Sequence, residues 1–223
     1  MITYTNIDCM IGMARYPDKY FDLAIVDPPY GQFNDDKRGH QGGGHATKYG
    51  YGKWDVAPTG DCFDELFRVS KDQIIWGGNY FNLPPTRCFL IWRKLTISEN
   101  FTMAMCEYAW TSFNENAKWF EMAPQDKGRI HPTQKPVALY RWLLKNYAKP
   151  GDKILDTHVG SASSLIACYD MGFDAVGFEL DAYYYRMSKQ RLDDFMRQPR
   201  LDEADKMIQE QIDLFDRPDY RKP

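Results

Sequence analysis

The chain has 223 residues, of which 43% are apolar and 15% aromatic, and a formal net charge of -3. That length suits one α/β domain with a modest insertion. No run approaches the roughly eighteen uninterrupted apolar residues of a membrane-spanning helix, and Met1–Asn6 lacks the basic and apolar stretches of a secretory signal. The five cysteines (Cys9, Cys62, Cys88, Cys106 and Cys168) are odd in number, dispersed and without a CxxC pair. This argues against a disulfide framework and against a zinc site, so no metal is expected. The reading is a cytoplasmic protein with reduced thiols.

Phe21 to Val26 is an apolar run that stops at Asp27-Pro28-Pro29, which predicts a buried strand broken by two prolines. Residues 31–60 are polar and rich in glycine, which predicts a long polar loop, of the kind that is either functional or disordered. A short helix is expected from Asp61 to Ser70. Strands are expected at Gln73–Trp76, Cys88–Trp92 and Cys106–Phe113, with residues 114–130 irregular. Val137, Tyr140, Leu143, Leu144 and Tyr147 fall at helical spacing, with Pro136 suited to the first turn. Lys153–Leu155 predicts a short strand ending at Asp156. The small-residue loop Gly160–Ser164 leads into a helix reaching about Met171. Ala175–Phe178 predicts a strand ending at Glu179, and Ala182 to about Met196 a helix. Strand, loop, helix, strand and helix in succession are the alternation of a parallel sheet with helical crossovers.

Charge is unevenly spread. Residues 87–153 hold eleven Lys/Arg against six Asp/Glu, and residues 154–223 hold nine against fourteen. A basic middle and an acidic tail allow a polyanion to approach one face, although ordinary surface charge explains the same pattern.

Two constellations carry chemistry. In Asp27-Pro28-Pro29-Tyr30 a carboxylate, a carbonyl fixed by prolines and an aromatic face follow a strand. Such a group can accept two hydrogens from an amine and stack on its ring; a strand-ending turn is the bland alternative. The second runs from Asp156 through Thr157, His158, Val159, Gly160 and Ser161, and reaches Glu179-Leu180-Asp181 about twenty residues later. A tight turn before a helix, then an acid after the next strand, is the layout of a nucleoside-cofactor site. The three-glycine phosphate fingerprint is absent, so a cofactor without pyrophosphate fits better.

Together these segments resemble the beta class of amino-DNA methyltransferases, in which the catalytic motif precedes the cofactor loop. Asn6-Ile7-Asp8-Cys9 is similar to the element that opens such enzymes. Ile74–Phe81 resembles their post-catalytic strand and loop, and His131-Pro132-Thr133-Gln134-Lys135-Pro136 matches a family hexapeptide. The resemblance covers about residues 4–30, 61–112 and 131–195, and is nearest to small phage or prophage adenine enzymes. The cofactor loop departs from the family pattern: Thr157-His158 replaces Pro-Phe, and Ala162 replaces a glycine. Alanine tolerates positive φ poorly, so a shifted loop path is expected.

The resemblance implies a Rossmann-like fold with a mostly parallel sheet and helices on both faces. It implies one methyltransferase domain over residues 1–197, with target-recognition insertions at about 31–60 and 93–130 and a tail at 198–223. The implied activity is transfer of a methyl group from S-adenosylmethionine to N6 of adenine in double-stranded DNA after base flipping. N4 of cytosine, or an idle DNA-binding relative, remains as an alternative. Asp27, Pro28, Pro29 and Tyr30 would be catalytic. Asp8, Cys9, Asp27, Thr133, Lys135, Asp156, His158, Gly160, Ser161, Glu179 and Leu180 would hold the cofactor. Glu179 would take its ribose hydroxyls, Asp8 its adenine amine, and Thr133 with Lys135 its carboxylate. Lys37, Arg38, His40, Lys48, Lys53, Arg93, Lys94, Lys127 and Arg129 are candidate DNA contacts. The family admits homodimers. Gln211-Ile212-Asp213-Leu214-Phe215 resembles a sliding-clamp-binding peptide, with an amphipathic helix as its alternative.

Overall fold

A computed structural model describes residues 1–31, 55–101, 103–124 and 128–198. The proposed loop contacts Lys37, Arg38, His40, Lys48, Lys53 and Lys127, and the peptide Gln211–Phe215, lie outside the described residues.

The elements in chain order are β1 (Ile2–Asn6), α1 (Cys9–Met13), β2 (Phe21–Val26), α2 (Gly60–Val69), β3 (Ser70–Trp76), β4 (Phe89–Arg93), β5 (Cys106–Thr111), β6 (Lys118–Glu121), α3 (Val137–Tyr147), β7 (Lys153–Asp156), α4 (Ser163–Asp170), β8 (Asp174–Glu179) and α5 (Ala182–Arg197). They form one eight-stranded sheet in the order β1-β8-β7-β2-β3-β5-β4-β6. The strands from β1 to β3 run parallel, β5 is antiparallel to both neighbours, and β6 pairs parallel with β4. The expected Rossmann-like, mostly parallel architecture is present.

β2 shows why the sheet is central. Phe21, Leu23, Ala24, Ile25 and Val26 are all buried, as a parallel strand covered on both faces requires. From Leu23 to Val26 its side chains alternate between two cores, and Phe21 at the strand start joins the second. Leu23 and Ile25 pack with Ile74, Trp76, Leu139, Leu143 and Leu165 beneath α3 and α4. Phe21, Ala24 and Val26 pack with Met13, Phe63, Leu66 and Phe178 beneath α1 and α2.

Two expectations need correction. Residues 114–130 are not wholly irregular, because β6 pairs with β4 through Leu90↔Lys118 to Arg93↔Glu121. Trp119 on this strand is largely exposed, so the segment lacks the apolar alternation that would betray it. Pro136 is the N-cap of α3 rather than part of its first turn. β1 was not anticipated as a strand, yet it closes the sheet edge against β8, with Asn6 opposite Glu179.

The chain leaves β2 toward β3 on one side, while β7 leads through α4 to β8 on the other. The boundary between β2 and β7 is therefore a topological switch point. A crevice opens there outside the carboxyl ends of the strands.

Candidate active site

Four acids follow the carboxyl ends of four neighbouring parallel strands. Asp8 follows β1, Glu179 ends β8, Asp156 ends β7 and Asp27 follows β2. Asp8, Asp27 and Glu179 rim a cleft of about 660 Å³, within the usual range for a small-molecule site, and Asp156 lies buried behind it. The cleft brings together Asp8, Cys9, Asp27, Pro28, Pro29, Tyr30, Thr133, His158, Gly160, Glu179 and Leu180. Lys135, Asp156 and Ser161 stand behind this lining rather than in it.

The Asp27–Tyr30 turn is internally bonded. The Tyr30 hydroxyl donates to Asp27 Oδ1 at 2.7 Å, and Lys135 Nζ lies 2.5 Å from Asp27 Oδ2. Burial, and then the Asp27 charge, push the Tyr30 phenol well above its ordinary range, so it remains a donor. Its ring stacks on Tyr80 at 4.9 Å and meets Phe81 edge-on at 6.1 Å. Gly77 makes this packing possible. Its φ is +69°, and a Cβ there would come within 2.1 Å of the Tyr30 ring.

Glu179 ties the loop after β7 to the end of β8. Its Oε2 accepts the Gly160 N–H at 2.8 Å, and Oε1 accepts the Asp181 N–H at 2.9 Å. Burial raises its carboxyl above the usual range, against those two bonds. Gly160 has φ +53°, which turns its amide toward the acid. Ala162 also takes the left-handed conformation, at φ +61° and ψ +20°, as the N-cap of α4. The replaced glycine is thus absorbed as backbone strain of about 1–2 kcal/mol. Arg191 on α5 braces the loop from below, donating to the Ser161 carbonyl at 2.5 Å and to Ser163 Oγ at 3.1 Å.

Asp156 organises the loop from the interior. It accepts the Ser164 hydroxyl and, at 3.0 Å, the His158 N–H. Asp8 is the N-cap of α1, its Oδ1 accepting from Met10 N at 2.8 Å and Ile11 N at 3.3 Å. Cys9 Sγ lies 3.9 Å from Cys62 Sγ, which also faces the cleft. Burial pushes the His131 imidazole down to about 3, leaving it neutral with Nδ1 3.1 Å from the Thr133 hydroxyl.

Asp55, Val56, Ala57, Pro58 and Thr59 line the cleft as well. They sit at the end of the polar loop, where no periodicity marks them. Asp55 is buried and accepts the Gly31 N–H at 3.0 Å. Tyr184 and Arg191, both on α5, were also missed. Their roles depend on where that helix docks.

The expected DNA contacts divide. Arg93 is exposed and pairs with Glu121 at 2.7 Å. Arg129 donates to the Gln134 carbonyl at 3.4 Å. Lys94 is buried and pairs inward with Glu107 at 2.6 Å, so it is not a surface cation.

The donor set fits a nucleoside cofactor: an acid at the β8 terminus, a loop of close-approaching backbone, and Pro28, Cys9, Cys62 and Leu180 as apolar walls. Residues 86–190 match the N6/N4 methyltransferase family, described as DNA methylase. The chain is 27% identical over 213 residues to the methylase-like protein YubD of Escherichia coli K12, covering 86% of this chain and 90% of that one. The crystal structure of an M1.HpyAVI-SAM complex aligns with a TM-score of 0.58 at 19% identity, over 86% of this chain and 100% of that one. The cytosine-N4-specific PvuII DNA methyltransferase aligns with a TM-score of 0.57 at 11% identity, over 87% and 92%. The resemblance to the amino-DNA methyltransferases of the N6/N4 family is borne out, in sequence over the matched residues and in fold over most of the chain.

Proposed function

We propose that this chain transfers a methyl group from S-adenosylmethionine to the exocyclic amine of a DNA base, N6 of adenine. The observation that carries the proposal is the convergence of Asp27-Pro28-Pro29-Tyr30 on the same cleft as Glu179 and Gly160. The cofactor, when bound, supplies a methyl group on a positively charged sulfur. Glu179 would hold its ribose hydroxyls, with Asp8, Cys9 and Leu180 around the adenine. Thr133, His158 and Gly160 would face the remainder, while Asp156 and Ser161 shape the loop from behind.

The amine of adenine is a weak nucleophile because its lone pair is delocalised into the ring. Asp27 and the Pro28 carbonyl would accept its two hydrogens and draw that pair back onto nitrogen. Asp27 retains acceptor capacity for this, since each carboxylate oxygen offers two sites and each already accepts one hydrogen. Positioning and fixed dipoles supply most of the rate, without a covalent enzyme–base intermediate. Aspartate rather than serine at position 27 supports adenine over cytosine.

The experiment is transfer of labelled methyl from S-adenosylmethionine to unmethylated duplex DNA, followed by nucleoside analysis. N6-methyladenine is expected, and Asp27→Ala should reduce it by at least about a thousandfold. N4-methylcytosine would overturn the choice of base. No transfer on varied DNA would overturn the reaction.

A further inference from the structure

Lys135 belongs to the segment expected to grip the cofactor, yet its side chain is 2% exposed and does not reach the cleft. Its ammonium has three hydrogens. Around it stand three acceptors: Asp27 Oδ2 at 2.5 Å, Glu107 Oε2 at 3.0 Å and the Tyr30 hydroxyl at 3.5 Å. The Trp76 ring lies beside it, 5.3 Å from Nζ. Glu107, on β5, is gripped in turn by Lys94, just after β4, through its other oxygen at 2.6 Å. Two buried cations and two partly buried carboxylates thus alternate in a line from the antiparallel half of the sheet to the Asp27–Tyr30 turn. With its three hydrogens matched to three acceptors, the ammonium has no donor left for a cofactor carboxylate. To supply one it would have to give up one of its two partly buried acids or the Tyr30 hydroxyl.

We propose that Lys135 is a positioning residue for the reaction: anchored by Glu107 and Lys94, it fixes the rotation of Asp27 so that the carboxylate faces the target amine. Tyr30 fixes the other oxygen of the same group. This inference rests on the methyl-transfer reading above.

The test is single-turnover methyl transfer at saturating cofactor and DNA, alongside equilibrium binding of S-adenosylmethionine, on the full chain. Lys135→Met should slow transfer about a hundredfold while leaving cofactor affinity within about threefold of wild type. Glu107→Gln keeps the volume but loosens the anchor, and should slow transfer about tenfold with affinity again unchanged. Should Lys135→Met fail to fold, Glu107→Gln decides alone. Weakened cofactor binding with the saturated rate preserved would make Lys135 a cofactor ligand and overturn the proposal. Unchanged rate and affinity in both variants would do the same, while the methyl-transfer reading stands. A wild-type chain that transfers no methyl group would overturn both.

Discussion

Burial pushes the Asp156 carboxyl up to about 7, against hydrogen bonds from Ser164 and the His158 amide that favour its charged form. The unfolded carboxyl titrates near its ordinary value of about 4. The folded chain therefore holds this proton more tightly than the unfolded chain does. The resulting stabilisation is fully present below about pH 4 and is lost as pH rises through about 7. Asp156→Asn is uncharged at every pH. It should exceed wild type at pH 8 by on the order of 1–3 kcal/mol, with no such gain at pH 4. Urea unfolding midpoints at the two values measure this, and an equal difference at both would show that the carboxyl is already ionised in the fold. Asp156 was legible in the sequence as a strand-ending acid. Its depth was not, because burial depends on α4 covering it.

Among the elements, the loop between β7 and α4 shows how a local departure is accommodated. Its sequence lacks the expected glycine at position 162, and a changed path was anticipated there. Ala162 instead adopts positive φ as the N-cap of α4, between Ser161 and Ser163, both of which Arg191 from α5 bonds. Glu179 closes the opposite side through the Gly160 and Asp181 amides. Both its oxygens are thereby aimed before any ligand arrives, which lowers the ordering cost of binding. Glu179→Gln replaces one of those acceptors with a donor. It should weaken S-adenosylmethionine binding about 10- to 100-fold, the worth of a hydrogen bond to a charged group. Isothermal titration would reveal this, and unchanged affinity would remove Glu179 from the cofactor site. β6 teaches the converse lesson. Its four residues are too few to show an alternation, although Trp119 and Phe120 favour strands, and pairing with β4 makes them one.

For the whole molecule, the Asp27 side chain is only 13% exposed at the bottom of its crevice, so a base stacked in a duplex does not reach it. Extrusion would cost a few kcal/mol, less where the base is already unpaired. A duplex carrying the target opposite a mismatch should bind about tenfold more tightly than the paired duplex, in the presence of cofactor. Equal affinity in a fluorescence-polarisation titration would count against flipping. The sequence by itself determined the parallel alternation, the buried strand Phe21–Val26 and the order in which the Asp27–Tyr30 turn and the Asp156–Ser161 loop follow one another. Those rest on local periodicity, on proline and glycine, and on acids at strand ends, all of which act within a few residues. Only the tertiary structure decided that β1, β8, β7 and β2 lie side by side, which gathers Asp8, Glu179 and Asp27 around one cleft with Asp156 behind it. It likewise decided that Lys94 and Lys135, two lysines that read as surface or ligand cations, turn inward to neutralise Glu107 and Asp27. A lysine's sequence neighbours do not tell whether an acid from a distant strand will meet it. Low-dielectric burial makes that meeting obligatory once the strands have packed.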